Sequence, residues 1–416
     1  MLGTLTTFVS KMVTTTIPVA TVKNGESFIP EDETSFRKVF PKLRQDLVEV
    51  CENCGFIEST KWFGKVLDYN VPHGKVQRGL LVVNTFKALT NNPTSEQMNS
   101  ARILGWCGEL LQTSSLIADD MMDSSPLRRG RPSWFTVDGV GMNAINDAFY
   151  LESCAYHLLK KYFGETEFYT KFVDAFHDIT LKTIIGQNLD VLACQEISEE
   201  RCKMANFFKI AEYKTGYYTF VLPIRLGAIL AGLQDGKLLN HLESVGLQLG
   251  EIFQAQDDFL DVYCTITQTG KSGTDIAEGK CTWLICKAME IANPEQREIL
   301  MATYGKKDEE SVQVVRTIFD EINLPYHFRH YHEELMDKIG TQIAAISGDH
   351  VQLKAMLNTL VKKMEIAKFL ILVHVYVCTE IRAVCQSDAG TIKSCGSSLL
   401  PNQIRRISAG PNFATK

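Results

Sequence analysis

The sequence predicts an all-α protein built as a bundle of long helices. In residues 100–123, 147–163 and 237–263, apolar residues recur at three- and four-residue intervals, which is the period of an amphipathic helix. Patterns that alternate apolar and polar residues, as a half-buried strand does, are scarce. Glycine, proline and asparagine separate the helical segments at short intervals, and this arrangement is typical of a helical bundle.

Composition limits the class of protein. The chain has 416 residues, of which 45% are apolar and 22% charged, so it is long enough to bury one large core or two smaller ones. The net charge of −6 argues against a nucleic-acid partner, since general nucleic-acid binders usually present a basic face. No apolar run reaches the ~18 residues that a transmembrane helix needs. We therefore expect no transmembrane span.

The use of cysteine indicates a reducing compartment. Twelve cysteines are scattered along the chain, and Cys107, Cys154, Cys281 and Cys286 lie inside apolar helical patterns, as reduced thiols that fill a core do. We expect a cytoplasmic protein. Mitochondrial import is the alternative, because residues 1–24 contain no acidic residue, but the arginine usual in a presequence is missing there.

The distribution of helical patterns along the sequence divides the chain into three parts. Residues 1–30 are expected to form a disordered leader or a targeting segment. Residues 31–365 carry the helical patterns without a low-complexity linker and form the expected catalytic domain. Residues 366–416 form an atypical extension that begins with the apolar run FLILVHVYVC. Its role is open between a targeting element, a partner-binding segment and the product of an alternative exon.

Two acidic clusters end long apolar helical segments. The first contains Asp119, Asp120 and Asp123, and the second contains Asp257, Asp258 and Asp261. The first and last aspartates of each cluster are four residues apart, so they share one helix face. One such cluster alone is as well explained as a solvated helix end. Two clusters on apolar helices indicate a bound cation, because the carboxylates otherwise repel one another. Oxygen ligands of this kind suit Mg²⁺ with a diphosphate.

Basic residues near these clusters and in glycine-containing segments complete the pattern. Each of them is singly more typical of a surface charge, but together they provide donors for two diphosphate groups. They are Lys75, Arg78, Arg128, Arg129, Lys214, Lys271 and Lys280.

The motifs occur in an order that resembles a known family. They are GKxxRG, ELLQ before DDxxD, RRG after it, GQNLD, YKTxxY, FQxQDDFLD and GKxGTDI. Together they resemble the trans-isoprenyl diphosphate synthases, and most closely the eukaryotic farnesyl diphosphate synthases, over residues 35–365. The resemblance implies an isoprenoid synthase-type helical bundle around a central cavity, a homodimer and a Mg²⁺-dependent prenyltransferase. Three Mg²⁺ ions would bind with substrate, and Mn²⁺ is an alternative metal.

The resemblance also implies roles for individual residues. Mg²⁺ would be held by Asp119, Asp123 and Asp257, with support from Asp120, Asp190, Asp258 and Asp261. The allylic diphosphate would contact Arg128, Lys214, Gln254, Lys271 and Lys280. Isopentenyl diphosphate would contact Lys75, Arg78, Gln112 and Arg129. Thr215 and the backbone around Lys214 would face the developing carbocation, so that Asp119, Asp123, Asp257, Arg128, Lys214 and Thr215 form the catalytic set.

The chain departs from the family where product length is set. The residues four and five positions before Asp119 are commonly aromatic in the farnesyl synthases, but here they are Ser115 and Ser114. Loss of two rings predicts a deeper pocket. The alternative is that Phe149 and Tyr150 refill the space. A second departure is His73, which replaces a glycine usual before the GK pair.

Three functions remain open at this point. The first is a chain-elongating prenyltransferase that makes farnesyl diphosphate or a close homologue. The second is a terpene synthase of the same fold, which ionises a prenyl diphosphate without adding a unit. The third is a non-catalytic partner subunit or a membrane-associated scaffold. The four isopentenyl anchors favour elongation, and the intact aspartates and lysines argue against the third function.

Overall fold

The computed structural model describes residues 28–195, 197–264 and 273–364. Residues 1–27 of the predicted leader and the whole of residues 366–416 lie outside these described residues, as does Lys271. The predicted boundaries of the three parts therefore stay predictions. Among the described residues, no helix is long and apolar enough to cross a membrane.

Helices account for nearly all of the regular structure of the described residues, which confirms the all-α fold. In chain order they are α1 (Glu33–Arg37), α2 (Phe40–Asn53), α3 (Ile57–Asn70), α4 (Gln77–Leu89), α5 (Ser95–Met122), α6 (Ala144–Phe163), α7 (Tyr169–Gln195), α8 (Met204–Ile210), a π-helical segment (Ala211–Val221), α9 (Leu222–Leu230), α10 (Gly236–Tyr263), α11 (Asp275–Glu278), α12 (Trp283–Ile291), α13 (Pro294–Thr303), α14 (Glu309–Glu321), α15 (Leu324–Ala345) and a helical stretch at 351–364.

Local sequence explains where the two longest helices begin. The side chain of Thr94 accepts the N–H of Gln97, whose own side chain accepts the N–H of Thr94, so a capping box starts α5. The carboxylate of Asp235 accepts the N–H groups of Lys237 and Leu238 and starts α10 in a similar way. Both helices have 28 residues and end at an acidic cluster.

The core lies on both sides of these two helices. Around α5, Trp106 stacks on Phe36 with ring centroids 4.8 Å apart and is fully buried. Around α10, Val245 and Leu249 pack in a second cluster with residues of α15. Burial of this apolar surface is the main stabilising contribution to the fold. Because both helices are fixed along their length, their acidic ends are held in place.

A short antiparallel hairpin follows the first acidic cluster. Its strands are β1 (Leu127–Arg128) and β2 (Arg131–Pro132), with Leu127 opposite Pro132. The turn uses positive φ at Arg129 (55°) and at Gly130 (72°). A positive φ is costly for arginine and favourable for glycine, so Gly130 makes this turn accessible. The turn fixes where the Arg128 and Arg129 side chains begin.

The cysteines behave as the sequence predicted. All cysteines within the described ranges are free thiols, and Cys107, Cys154, Cys281 and Cys286 are buried. Burial raises the pKa of the Cys107 thiol, which keeps it protonated and inert.

Candidate active site

Two lysines join carboxylates from distant parts of the chain. Lys214 Nζ lies 2.7 Å from Asp190 Oδ2 and 3.3 Å from Asp119 Oδ1. Lys280 Nζ lies 3.0 Å from Asp190 Oδ2 and 2.7 Å from Asp123 Oδ1. Asp190, on α7, thus lies between both lysines and the end of α5. Five predicted site residues are therefore linked in one chain of ion pairs.

Burial makes these charges strongly interdependent. Burial alone would raise the pKa of Asp190, but Lys214 and Lys280 outweigh it and hold that pKa below its usual value. Burial alone would lower the pKa of Lys214, but Asp119 and Asp190 outweigh it and raise that pKa well above its usual value. All three side chains are therefore ionised at neutral pH, and each depends on the others for its charge.

Charges of the two acidic clusters act on the same neighbouring side chains. Arg128 donates to Asp120 and, at 3.3 Å, to Asp119. Burial alone would lower the pKa of Arg128, but Asp120, Asp119 and also Asp257 of the second cluster raise it. Glu278 is also affected by both clusters. Burial raises its pKa, and Asp123 of the first cluster and Asp261 of the second both raise that pKa further. Carboxylates from both helices therefore act on the same groups.

Two aspartates of the second cluster hold backbone rather than facing one cation. Asp258 is buried and accepts the N–H of Trp283 at 2.8 Å and the side chain of Gln254 at 2.8 Å. Asp261 accepts the N–H groups of Thr274 and Asp275. These bonds fix the starts of α11 and α12, so Asp258 and Asp261 anchor the elements that carry Lys280 and Glu278. Asp257, the first residue of the cluster, is half-buried.

Lys214 and Thr215 lie in the π-helical segment. A π-helix is rare and is often found at functional sites. It passes very close to its neighbours, since a Cβ on Gly186 would lie 2.2 Å from Lys214 N and one on Gly250 would lie 2.2 Å from the Cα of Gly216. Only glycine fits at these contacts. The segment directs Lys214 to Asp190 and the hydroxyl of Thr215 to the side-chain oxygen of Gln254.

Two of the four predicted isopentenyl anchors, Arg78 and Arg129, have defined contacts. Arg78 Nη2 donates to the hydroxyl of Tyr218 at 2.9 Å and to that of Thr219 at 2.8 Å. Arg129 lies against the loop that carries Lys75, since a Cβ on Gly74 would be 2.8 Å from Arg129 Nη2. The other two differ in exposure: Lys75 is exposed and Gln112 is buried. His73 is exposed, and its Nε2 lies 3.0 Å from the carbonyl oxygen of Asp68, so the replacement leaves the loop folded.

The two serines before Asp119 differ in burial. Ser115 is half-buried one turn before Asp119, and its hydroxyl donates to Leu111 O at 3.2 Å. Ser114 is buried with 8% of its surface exposed.

The aromatic residues that were the alternative floor are engaged elsewhere. The ring of Tyr150 stacks on Phe63 of α3 at 3.9 Å. Phe149 is 65% exposed, about 200° around α6 from the buried Leu151. Neither position supports the idea that these rings refill the space left by the serines.

The carboxylates fit a divalent metal by their chemistry. They offer hard oxygen ligands near the ends of α5 and α10, and cationic groups of the protein already pair with Asp119, Asp123 and Asp190. Those cations are the lysine ammonium groups, and among the described residues no three acidic, histidine or cysteine side chains converge as a ready metal-binding group. Asp119 and Asp123 are therefore already paired with Lys214 and Lys280, and a metal ion would compete with these ammonium groups for the same oxygens.

Sequence reasoning missed two contacts. Gln187 donates to Asp119 Oδ1 at 3.1 Å, and Tyr218 holds Arg78. Both residues belong to motifs that carry the resemblance, GQNLD and YKTxxY, and their polar side chains beside assigned residues were the available signal.

Comparison with known proteins decides the family. A family model described as polyprenyl synthetase matches residues 60–322, more than half of the chain. The chain belongs to the polyprenyl synthetase family. Among similar members of this family, farnesyl pyrophosphate synthase from Candida albicans is 41% identical over 75% of this chain and 91% of its own length. The corresponding enzyme from Saccharomyces cerevisiae is 41% identical over 75% of this chain and 90% of its own length.

A solved structure agrees with this assignment. The T. brucei farnesyl diphosphate synthase complexed with risedronate superposes with a TM-score of 0.75 at 27% identity, covering 80% of this chain and 98% of that chain. The predicted isoprenoid synthase fold and the predicted family are thereby confirmed. This polyprenyl synthetase is an enzyme of the prenyltransferase class.

Proposed function

We propose that this prenyltransferase condenses isopentenyl diphosphate with dimethylallyl or geranyl diphosphate to give farnesyl diphosphate or a close homologue. The observation that carries the proposal is the Lys214–Asp190–Lys280 bridge between Asp119 and Asp123. It places two cations and three carboxylates around one space, which suits a diphosphate bound together with divalent metal.

The protein's own side chains support ionisation of the allylic substrate. Arg128, Lys214 and Lys280 place positive charge where the diphosphate departs, in a water-poor region where such charge acts strongly. Asp119, Asp123 and Asp257 would hold Mg²⁺, with Mn²⁺ as a substitute, and the bound metal would supply a Lewis acid for the charge of the leaving group. The carbon–oxygen bond of the allylic diphosphate breaks, and both electrons leave with the diphosphate. The hydroxyl oxygen of Thr215 and the backbone oxygens around Lys214 would face the resulting carbocation.

The second substrate adds to that cation. Lys75, Arg78, Gln112 and Arg129 would hold the diphosphate of isopentenyl diphosphate, so that its double bond lies beside the allylic carbon. That double bond supplies the electron pair for the new carbon–carbon bond. A proton is then lost to the departed diphosphate. Holding both substrates in this geometry contributes much of the rate.

Ser115 supports a deep product pocket. It is one turn before Asp119, and its small side chain leaves space that an aromatic ring would fill. The proposed product is farnesyl diphosphate or a close homologue.

A homodimer and a reducing compartment complete the proposal. The outward faces of α6 and α7 expose Ile145, Phe149, Leu181 and Ile184, which a second copy of the chain would cover. The free, buried cysteines of the described residues fit a cytoplasmic location. Sedimentation analysis of the purified chain and of a Leu181→Asp variant tests the dimer, which the variant should dissociate.

One assay tests the proposed reaction. The chain is incubated with Mg²⁺ and an allylic diphosphate, with and without isopentenyl diphosphate, and the products are identified by mass spectrometry. A diphosphate product that is one isoprene unit longer and requires isopentenyl diphosphate supports elongation. Hydrocarbon release without isopentenyl diphosphate would instead identify a terpene synthase. Absence of turnover in both reactions contradicts both enzymatic functions.

A further inference from the structure

Glu109 is a buried carboxylate to which the proposed reaction gives no role. It lies on α5 with 2% of its surface exposed, and its Oε1 accepts the N–H of Gly79 at 2.8 Å. Gly79 is the third residue of α4. Its N–H therefore belongs to the first turn, whose N–H groups have no acceptor within the helix. The residue before α4 is Val76, which has a φ of 43° and provides no side-chain cap. Glu109 therefore caps α4 from another helix, where the helix dipole favours a negative charge.

Close packing of α4 and α5 brings the carboxylate to this N–H. A Cβ on Gly105 would lie 2.7 Å from the carbonyl oxygen of Gly79, so a side chain there would push the helices apart. Glu109 follows Gly105 by four residues and thus lies one turn along the same face of α5. The start of α4 is thereby fixed relative to α5, and Arg78 is the second residue of α4.

The two arginines of the second diphosphate site share Glu109 as a countercharge. Burial raises the pKa of Glu109, and the Gly79 N–H, Arg78 and Arg129 act in the opposite direction. Burial lowers the pKa of Arg129, and among the nearby charges Glu109 opposes this most strongly. The same two guanidinium groups also donate hydrogen bonds. Arg78 donates to the hydroxyl of Tyr218, and Arg129 donates to Asn70 O at 3.4 Å. Both arginines thus act on the charge of the Glu109 carboxylate.

We propose that Glu109 is a positioning residue for the isopentenyl diphosphate site. Its carboxylate caps α4 and so fixes the position of Arg78, the second residue of α4, whose guanidinium group donates to Tyr218 and Thr219. This inference rests on the proposed function, because it assigns the site to the second substrate. It predicts a defect confined to that substrate, whereas loss of a purely structural group affects both substrates alike.

The test compares charge and shape at position 109. Glu109→Gln keeps an oxygen that accepts from Gly79 but removes the charge, Glu109→Asp keeps the charge, and Glu96→Gln changes an exposed glutamate of the same helix. For each variant, the KM of both substrates and kcat are measured, and isothermal titration calorimetry gives the affinity for isopentenyl diphosphate. Circular dichroism melts report folding.

Glu109→Gln is expected to raise the KM for isopentenyl diphosphate about tenfold, while the KM for the allylic substrate stays within about twofold of the original value. Glu109→Asp should recover part of this loss, and Glu96→Gln should change neither KM. An unchanged or lower KM for isopentenyl diphosphate in Glu109→Gln overturns the inference, as does an equal defect for both substrates. If neither Glu109 variant folds, the role is structural and the inference is also overturned.

The experiment separates this inference from the proposed function. If the unaltered chain neither binds isopentenyl diphosphate nor needs it for turnover, the proposed function fails and the inference fails with it. If the unaltered chain elongates the allylic substrate and Glu109→Gln behaves identically, only the role of Glu109 is wrong.

Discussion

Lys280 Nζ lies 2.7 Å from Asp123 Oδ1, so the residue that follows α5 is tied to the turn before α12. The same ammonium group contacts Asp190 of α7 at 3.0 Å. Two helices and a turn that are distant in sequence thus meet at one cation. Because Lys280 and Asp190 are both buried, the stability of this region depends on each charge keeping its partner.

Removal of Asp190 should destabilise the fold. Asp190→Asn leaves Lys214 and Lys280 with one fewer carboxylate in a buried region, and we expect a loss of about 3 kcal/mol in the free energy of unfolding. Urea unfolding measures the loss. Asp178→Asn on the same helix breaks exposed pairs with Lys182 and Arg225, and it should cost less than about 1 kcal/mol. Equal losses in the two variants would show that the Asp190 bridge adds no stability.

Introduction of a ring at Ser115 should shorten the product. Ser115→Phe places an aromatic side chain one turn before Asp119, in the space of the proposed pocket, and gas chromatography of dephosphorylated products should show fewer isoprene units. Ser114 is buried, so Ser114→Phe should instead lower the free energy of unfolding by about 1–3 kcal/mol through overpacking. An unchanged product distribution in a folded Ser115→Phe variant would rule out the pocket-floor role.

Asp46 should make the stability depend on acid pH. It is buried, and burial alone would raise its pKa, but hydrogen bonds from Lys42, Tyr162 and Lys161 hold that pKa below its usual value. The stabilisation by Asp46 is therefore fully present above the unfolded-state pKa of about 4, and it is lost as pH falls through the lower folded-state value. Lys42 Nζ is 2.6 Å from Asp46 Oδ1 and Lys161 Nζ is 3.0 Å from it.

The corresponding variant is Asp46→Asn. At about pH 7 the free energy of unfolding of this variant should be about 2 kcal/mol lower than that of the unaltered chain. This difference should shrink below about pH 4. Urea titrations at both pH values measure it. Glu58→Gln, at an exposed pair with Lys61, serves as the control and should have no effect at either pH. A difference that is constant with pH would contradict the assigned role of the carboxylate.

The sequence predicted the long helices well because their signal is local. The apolar period over residues 100–123 and 237–263 corresponds to α5 and α10, and the capping residues Thr94 and Asp235 are visible in the sequence. The acidic clusters at the ends of these helices were found for the same reason. Their facing arrangement depends on packing, which the periodicity does not contain.

Features that depend on tertiary contacts were beyond local patterns. The π-helical segment has no distinctive period, and it follows from the close approach of Gly186 and Gly250 to its backbone. The carboxylate of Glu109 was visible inside an apolar helix, but its use depends on Gly79, thirty residues away in sequence. The anchoring of Thr274 by Asp261 likewise joins separate segments.

The most direct test of the account measures whether metal couples the diphosphate to both acidic clusters. Binding of an unreactive allylic thiolodiphosphate is followed by calorimetry with Mg²⁺ or with EDTA, in the unaltered chain and in the Asp119→Asn, Asp257→Asn and Asp68→Asn variants. We predict that affinity falls at least about 100-fold without Mg²⁺, that Asp119→Asn and Asp257→Asn each lose most of the Mg²⁺ dependence, and that Asp68→Asn retains it. Affinity that is independent of Mg²⁺, or full Mg²⁺ dependence in both cluster variants, would contradict the account.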